Sequence, residues 1–546
     1  MTTMRDKSRQ NDKGLNKLTG EQAQPPTNVN TTGVNLQMSS QPFTIKVPVP
    51  KQIVSSLRAN FSGKDYQKTL TIVKSIIYGH MRLFAPMLYY LPYASDYKRK
   101  IVGGNRDYRL WRELENVGIL QTKILPGKRR FSHSGHICVH LRINPKYISG
   151  DVEQTNYIPF RNDLHVEDSL VCRTAKANCD NLNLIISKDQ VTELADELAT
   201  RKISSFSLTK KGLHFHYKKK PYFEFLSPDL CAGNLLFERI KIAASYILSV
   251  NQIEQKQFFA SVSSTNGRLN HNLTVIPKRL LTAFQLDGEP ICEIDMKNCQ
   301  PRILAQLISS IKMKEEDTNQ ITEPIWEDRF LNESFNNSLR DILFSQKKEQ
   351  RSDIEEFIQQ SECGTLYEYY SKQMFGYSDE RTRNKAKEAF IAALYADPEE
   401  SSEQIQEKRE AFAKVFPDLL KVMDQLKRDM VNLFNVHLSS GDHPELKKYL
   451  YSKNKGSKTA RKAGNDYLPV RMQEIESSLF IKIIFHELID KGIISLPKHD
   501  SILCKESDKD IVMELMSFEL DRELGKGGYE LRSKILISEV SNPPNT

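Results

Sequence analysis

The sequence predicts an α+β fold, in which helical regions accompany a few short strands. Helix and strand periodicities alternate over residues 66–150. Long, charged helical patterns follow at 346–370 and 401–434, and two apolar runs that end near aspartates have the pattern of strands. With 546 residues, the chain is long enough for three or four compact units.

Composition restricts the compartment and the kinds of partner. The chain carries 78 Lys and Arg against 69 Asp and Glu, and its net charge of +9 permits a polyanionic partner without requiring one. Its eight cysteines form no CxxC pair, so we expect reduced thiols in a cytoplasmic protein rather than a disulfide framework. The sequence contains no long apolar run and no signal-peptide pattern, so we expect no membrane partner. The oligomeric state stays open.

The N-terminal part of the sequence predicts a disordered tail followed by a small folded region. Residues 1–42 are rich in Asn, Gln, Thr, Ser and Lys and nearly free of large apolar side chains, a composition typical of disorder. Farther along, the amphipathic segment Arg109–Val117 ends at Gly118. Two strand patterns follow it, at 119–124 and 136–143.

A basic turn separates these two strand patterns, at Lys128, Arg129 and Arg130. The order helix, glycine, strand, basic hairpin, strand resembles a winged helix, whose wing contacts the DNA backbone. The resemblance predicts a winged-helix-like DNA-binding domain over residues 43–150. A charged hairpin without a ligand is the alternative interpretation.

Residues 151–262 have a helical pattern after a loop-rich start. Amphipathic segments at 189–200 and 235–260 flank two lysine clusters, Lys210–Lys211 and Lys218–Lys220. Such cations favour contact with a nucleic-acid backbone. A helical connector explains the same pattern, and both interpretations stay open.

Two aspartates occupy positions typical of display at the edge of a sheet. Asp295 follows the apolar run Ile291–Ile294, and Pro301 beyond it suits the first turn of a helix. Asp500 and its neighbour His499 lie between two apolar runs, where an acid is most often only a turn residue. Two separated acids are also able to share Mg²⁺.

Four segments, taken in order, resemble the family A DNA polymerases and their relatives, the phage-type single-subunit RNA polymerases. Thr265–Pro277 (TNGRLNHNLTVIP) is similar to the family segment T-G-R-L followed by N-L-x-x-I-P. Asp295–Ala305 (DMKNCQPRILA) is similar to motif A, D-Y-S-Q-I-E-L-R-[IV]-[LM]-A. Arg383–Tyr395 carries the R-x3-K-x7-Y of motif B, and His499–Ser501 carries the H-D-S of motif C. The resemblance extends over residues 261–510.

The resemblance implies a right-hand polymerase fold with palm, fingers and thumb, and a two-metal mechanism. Asp295 and Asp500 would bind two Mg²⁺ ions about 3.5–4 Å apart, with Mn²⁺ as an alternative ion. His499 would orient the primer end. The implied partners are a DNA template, its primer and nucleoside triphosphates.

Other motif residues are implied to bind nucleotide or nucleic acid. Arg383 and Lys387 lie one helical turn apart and would hold the triphosphate, whereas Tyr395 would reach the sugar and the templating base. Gln300 stands where family A DNA polymerases place a Glu that excludes ribose, so the choice of sugar stays open. Nucleic-acid contacts are implied for Arg268, Arg302 and Gln473.

Three functions are consistent with these residues. The first is a DNA-dependent DNA polymerase of a mobile element, plasmid or phage, in a bacterial or virus-infected cell. The second is an RNA-synthesising primase or phage-type RNA polymerase, and the third is a non-catalytic replication initiator. Composition, element order and the resemblance together predict a tail (1–42), a winged-helix-like domain (43–150), a linker and thumb-like region (151–262), palm with motif A (263–311), fingers with motif B and a basic loop (312–468), and palm with motif C (469–546).

Overall fold

The computed structural model describes most of the chain beyond residue 43. The described residues are 44–93, 98, 101–102, 109–123, 139–158, 166–204, 206–209, 212–217, 220–316, 352–399, 402–440, 451–452, 456–457, 459–525 and 529–537. All of them belong to one compact unit, Thr44–Thr546. The predicted tail at 1–42 and the basic turn with Lys128, Arg129 and Arg130 lie outside the described residues.

The described chain combines helices with antiparallel strands, which confirms the predicted α+β class. The first elements are β1 (Ile45–Pro50), α1 (Lys51–Asn60), α2 (Gly63–Arg82), β2 (Leu91–Tyr93), α3 (Arg109–Asn116), β3 (Leu120–Lys123) and β4 (Val139–Ile143). Strands β2, β4 and β3 form an antiparallel sheet in that order. Helix α3 ends where the sequence predicts, because Gly118 adopts a left-handed conformation (φ 76°).

The following region contains more strand than its sequence pattern predicts. Its elements are β5 (Val152–Tyr157), α4 (Leu170–Asp180), β6 (Leu182–Leu184), α5 (Lys188–Ile203), β7 (Ser207–Thr209), β8 (Gly212–Tyr217), β9 (Lys220–Phe225) and α6 (Pro228–Glu254). Strand β5 pairs with β1, and β7, β8 and β9 form a three-stranded antiparallel sheet. Helix α6 starts with proline in its first turn, and the Ser227 side chain accepts a hydrogen bond from Leu230 N.

A buried ion pair within α6 forms hydrogen bonds to the segment that follows α2. Glu238 and Lys241 are both almost fully buried, and their charged groups lie 2.7 Å apart. Lys241 also donates to the carbonyl of Ala85, and Met87 N donates to Glu238. Because each charge is compensated by a partner, the contact fixes the N-terminal region against α6.

The next part of the chain passes from short strands into a group of helices. Its elements are β10 (Ala260–Val262), β11 (Leu269–His271), α7 (Asn272–Val275), α8 (Lys278–Leu281), β12 (Phe284–Leu286), β13 (Glu289–Met296), α9 (Cys299–Glu316), α10 (Ser352–Glu362), α11 (Leu366–Phe375), α12 (Glu380–Tyr395), α13 (Glu403–Ala413), α14 (Pro417–Ser440), β14 (Tyr451–Ser452) and β15 (Gly456–Ser457). Both long helical patterns predicted here are interrupted. Gly364 (φ 65°) separates α10 from α11, and Pro417 starts α14.

The C-terminal part returns the chain to the strands. Its elements are α15 (Ala460–Ser477), α16 (Phe485–Asp490), β16 (Ser495–Lys498), β17 (Ser501–Lys505), α17 (Lys509–Leu524) and β18 (Leu531–Leu536). A π-helical turn, Ser478–Ile484, joins α15 to α16 without a break. Residues 460–466 belong to the region 312–468 that is predicted to contain a basic loop. They are helical, because they form the start of α15. None of the described helices has the length and apolarity needed to cross a membrane.

A six-stranded antiparallel sheet forms the centre of the described chain. Its order is β16-β17-β13-β12-β6, and β18 pairs with β13. Alternate residues of β13 enter different cores: Cys292 and Ile294 pack with the helices α9–α15, whereas Ile291 packs with α4, α5 and α6. The central sheet is therefore covered on both of its faces. Glu293 and Asp295 lie near the C-terminal end of β13, at one end of the sheet.

Candidate active site

Two neighbouring strands bring the predicted acids together. Asp295 lies near the end of β13, and its register partner is Ser501, the first residue of β17. Asp500 precedes Ser501 in the turn that connects β16 to β17, and its carbonyl oxygen accepts a hydrogen bond from Met296 N at 3.2 Å. The two acids therefore lie side by side at one end of the central sheet.

Burial and mutual repulsion weaken the acidity of this pair. Burial, together with the charges of Asp500 and Glu293, raises the pKa of Asp295 to about 7 against the opposing effect of Lys278 and Lys387. Burial likewise raises the pKa of Asp500. A bound cation would lower both pKa values, because an opposite charge favours the ionised carboxylate.

A third acid of this sheet end already has a cationic partner. Glu293 is buried in β13 and forms an ion pair with Lys278 of α8, and Ser501 Oγ donates to Glu293 Oε1 at 3.4 Å. Within the described residues, no group of three or more His, Cys, Asp or Glu side chains is arranged to hold a metal ion. A cation at this position would take two protein carboxylates, with its other ligands from substrate or water, as Mg²⁺ commonly does.

Polar contacts hold both ends of α12, the helix of the motif B pattern. At its start, Asp379 Oδ1 accepts from Thr382 N at 2.7 Å, and Thr382 Oγ1 accepts from Asp379 N at 2.9 Å. At its end, buried Lys427 of α14 donates to the carbonyls of Ala393 and Ala396, each at 2.7 Å. Burial lowers the pKa of Lys427 to about 7. The fixed ends set the position of the side chains between them.

The two cations of α12 have different surroundings. Lys387 is exposed, and its positive charge opposes the rise in the pKa of both aspartates. Arg383 is held by α11 instead: its Nε lies 3.0 Å from Glu368 Oε1, and its guanidinium lies 5.8 Å from the ring centroid of Tyr367. Of the two cations of α12, Lys387 is therefore the one whose charge acts on the acid pair.

A chain of hydrogen bonds joins α9 to α12 and α15. The Tyr395 hydroxyl donates to Gln300 Oε1 at 3.4 Å and accepts from Gln473 Nε2 at 2.6 Å. The Gln300 amide donates in turn to Glu476 Oε2 at 3.4 Å. Gln300 thus bridges a phenol and a carboxylate by using its acceptor and its donor together. An ionised glutamate at position 300 would have no proton to donate to Glu476.

Glu476 also binds Arg268, the arginine of the upstream segment. Arg268 Nε and Nη2 donate to Glu476 Oε1 at 2.9 and 2.6 Å. Burial raises the pKa of Glu476 to about 7, with the charge of Asp500 acting in the same direction and Arg268 opposing it. The charge of Asp500 therefore influences the ionisation of Glu476. Sequence reasoning missed it; the available signal was its position one helical turn after Gln473.

The loop that carries Arg268 is fixed on the end of α15. Asn266 Nδ2 donates to Gln473 Oε1 at 2.8 Å, and Ser477 Oγ donates to the Asn266 carbonyl at 2.8 Å. Gly267 has φ 69°, and a Cβ there would lie 3.4 Å from Ser477 Cβ. The left-handed backbone favours glycine at position 267, whereas the space there would accept a Cβ.

His499 is a neutral hydrogen-bonding group beside the acids. It adopts φ 60° in the turn before β17, a conformation that is uncommon for residues other than glycine. Burial and the charges of Arg268 and Lys498 lower the pKa of His499 to about 4. Its buried Nδ1 atom has no hydrogen-bond partner among the described residues.

Arg302 differs from the expectation that it contacts nucleic acid. It is almost completely buried in α9, where its guanidinium donates to the carbonyl of Leu524 and, at 2.9 Å, to Gln306 Oε1. Glu362 lies 4.0 Å away. A buried arginine that is satisfied by protein groups has a structural role, because exposing it to a ligand would break these contacts.

The structure thus assembles most of the predicted site residues at one end of the central sheet. The charge of Lys387 acts on both Asp295 and Asp500. Hydrogen bonds join Gln473, Tyr395, Gln300 and Glu476, and the charge of Asp500 raises the pKa of Glu476. No protein-family model matches this chain, and no curated protein matches it either. The functional assignment therefore depends on the geometry and chemistry of this site.

Proposed function

We propose that this protein is a template-directed nucleotidyltransferase, and more specifically a DNA-dependent DNA polymerase of a mobile element, plasmid or phage. One observation carries the proposal: four segments that resemble polymerase motifs, far apart in the sequence, converge at one end of the central sheet. Asp295 lies on β13 and Asp500 in the turn just before its pairing strand β17, and the charge of Lys387 opposes the rise in the pKa of both acids. Tyr395 contacts Gln300 across the same region.

The acid pair fits a magnesium site. Its carboxylates are hard oxygen ligands, and burial, with a smaller contribution from neighbouring acids, raises their pKa values; a divalent cation would favour their ionised forms. Asp295 and Asp500 would hold the ions, because Glu293 is already paired with Lys278. When bound, such ions activate a primer 3′-hydroxyl and neutralise charge on the triphosphate.

The remaining side chains have roles that follow from their surroundings. Lys387 is exposed beside the acids and attracts the triphosphate. Tyr395 and Gln300 are hydrogen-bonded to each other, and their side chains would contact the nucleotide sugar. His499, neutral and with an unbonded Nδ1, positions the primer end. Arg268 is held by Glu476 in an orientation suited to the nucleic-acid backbone near that end.

The architecture is compatible with the parts of a right-hand polymerase. The central antiparallel sheet corresponds to the palm, the helices α10–α14 to the fingers, and α4–α6 to the thumb. Strands β2, β4 and β3 form one sheet, and α3 lies between β2 and β3 along the chain; this order is similar to that of a winged helix, which would contact duplex DNA.

An RNA-synthesising enzyme of the same class is the second candidate. The observation that favours it is the amide at position 300, which replaces the glutamate that family A DNA polymerases use against ribose. In this protein the amide is shared between Tyr395 and Glu476, so a fixed carboxylate does not face the sugar.

A primer-extension assay tests both candidates. The full-length protein is mixed with Mg²⁺ and a primed DNA template, and either dNTPs or NTPs are added; a parallel reaction contains an unprimed template. We expect primer extension that follows the template sequence with dNTPs, and none with Asp295→Asn. Extension or initiation with NTPs alone would select the RNA-synthesising candidate. Template binding with no synthesis under either condition would reject nucleotidyl transfer.

A further inference from the structure

The three-stranded sheet β7-β8-β9 carries a row of aromatic side chains on its open face. His214 and Phe223 are register partners on β8 and β9, and their ring centroids lie 4.4 Å apart. Phe225 continues the row at 4.5 Å from Phe223. The side chain of Phe225 is 76% exposed, and His214 is also exposed. A phenylalanine so exposed on a strand contributes nothing to the core of its own sheet.

The opposite face of this sheet is anchored to the protein. Leu213 and Phe215 are buried in a small core with Leu88 of the N-terminal region. Glu224, which alternates with the two phenylalanines on β9, accepts two hydrogen bonds from Arg142 at 2.8 and 2.7 Å. The aromatic row therefore lies on a sheet whose opposite face is packed against the rest of the protein.

Charge indicates the kind of molecule that this face would attract. Residues 207–225 contain five lysines, which in sequence lie between the strands or at the start of β9, and a single acid, Glu224. That acid lies on the anchored face, where Arg142 neutralises it. The open face thus carries aromatic rings and no acid of its own strands, and the sequence of these strands and their connections is rich in lysine.

We propose that His214, Phe223 and Phe225 form a platform on which the unpaired bases of a nucleic-acid strand stack. Exposed aromatic rings on a sheet, bordered by cations that follow the phosphate backbone, are the combination that binds single strands with little sequence preference. Every base offers a flat face to such rings, so the ligand is an unpaired strand of DNA or RNA. The platform contains no residue of the acid pair, and the stacking of bases on it does not require nucleotidyl transfer.

Binding of oligonucleotides to the full-length protein tests the platform. The probes are thymidine and uridine oligonucleotides of about 15 nucleotides, with an abasic strand of equal length and charge. We expect the double variant Phe223→Ala, Phe225→Ala to bind the thymidine strand at least about tenfold more weakly, because two stacking contacts are lost. The abasic strand should bind wild type and variant equally. Phe518→Ala, which removes a phenylalanine that is 65% exposed on α17, is the matched control and should have no effect.

Two further variants separate stacking from apolar contact. Phe225→Leu keeps apolar area and loses the aromatic face, so it should bind as weakly as Phe225→Ala. Phe225→Trp should retain affinity, and its fluorescence should be quenched by the thymidine strand and not by the abasic strand. Comparison of the thymidine and uridine strands identifies the preferred sugar.

Three results would overturn the proposal: unchanged affinity of the double variant, full recovery by Phe225→Leu, or a wild-type dimer that Phe225→Ala dissociates in sedimentation. The last result would assign the face to a second copy of this chain. All measurements are made without nucleotide and are repeated with Asp295→Asn. A protein that fails to extend primers can therefore still pass this test, and the reverse also holds.

Discussion

Glu476 accepts two hydrogen bonds from Arg268 on a single oxygen, at 2.9 and 2.6 Å, although the two residues are 208 positions apart in the chain. The other oxygen of Glu476 accepts from Gln300. One buried carboxylate therefore fixes both an arginine of the upstream segment and the residue proposed to face the sugar. In the proposed polymerase, this contact links the position of the primer to that of the incoming nucleotide.

Replacing either aspartate of the pair should abolish nucleotide incorporation. Asp295→Asn and Asp500→Asn keep side-chain size and remove the charge that would hold Mg²⁺. We expect no detectable primer extension and nearly unchanged affinity for primed template, measured by fluorescence anisotropy. Asp287→Asn is the matched control, because Asp287 lies at a turn with φ 52°, which asparagine tolerates. Extension by Asp295→Asn at the wild-type rate would remove it from the site.

Stability without divalent ions should fall as the pH rises from about 4 to about 7. The pKa values of Asp295 and Glu476 in the folded protein are both about 7, above their ordinary values of 3.8 and 4.5. The folded state therefore binds more protons than the unfolded state in this window, and it loses that advantage as the pH increases. Thermal melts in EDTA should show a smaller pH dependence of Tm for Asp295→Asn than for wild type.

The same melts test the cation site without an activity assay. At about pH 8, added Mg²⁺ should raise the Tm of wild type, since a ligand that binds only the folded state stabilises it. Asp295→Asn should show little change. Equal pH dependence and equal Mg²⁺ response in both proteins would contradict the assignment of the acid pair as a metal site.

Lys387→Ala should weaken nucleotide use far more than DNA affinity. Lys387 is exposed, and its charge acts on both aspartates, so its loss removes attraction for the triphosphate. We expect a higher KM for nucleotide in steady-state extension, with unchanged template affinity. Lys385→Ala provides the control on the same helix, because Lys385 lies over the ring of Phe375 at 5.2 Å. Similar effects of the two substitutions would indicate a general loss of charge.

Removing the side chain at position 300 should relax the choice of sugar. Gln300 contacts Tyr395 and is similar in size to glutamate, so its bulk opposes a 2′-hydroxyl. Gln300→Gly should increase NTP incorporation relative to dNTP at least tenfold, or about 1.4 kcal/mol of discrimination. The measurement is single-turnover extension with each nucleotide. A wild-type enzyme that already prefers NTPs would show that Gln300 is not the barrier.

Charge at position 300 should matter because of Glu476. Gln300→Glu places a second carboxylate against a buried one, so we expect a lower Tm and slower incorporation. Adding Glu476→Gln restores one amide and one carboxylate, and the double variant should be more stable than the sum of the single effects predicts. A coupling energy of about 0.5–3 kcal/mol in a double-mutant cycle would support this pairing. Simple additivity would reject it.

The sequence predicted the α+β class and the strand and helix positions of the motif residues, because these depend on local periodicity. Asp295 lies at the end of a strand, and α12 carries Arg383, Lys387 and Tyr395, as expected. Local signals also ended α3 near Gly118. Each of the long helices predicted at 346–370 and 401–434 is divided into two helices. The helical spacing of apolar residues continues across Gly364 and Pro417, so it does not reveal that the backbone turns there.

The tertiary structure decided how these side chains are used. Arg302 matches its motif in sequence, yet packing of α9 buries it. Arg383 is occupied by Glu368, which leaves Lys387 as the cation beside the acids. Glu476 carries no motif signal, because its role arises from contacts with residues more than a hundred positions away. Local periodicity determines which residues form helices and strands, whereas burial and charge pairing depend on which distant segments the fold places in contact.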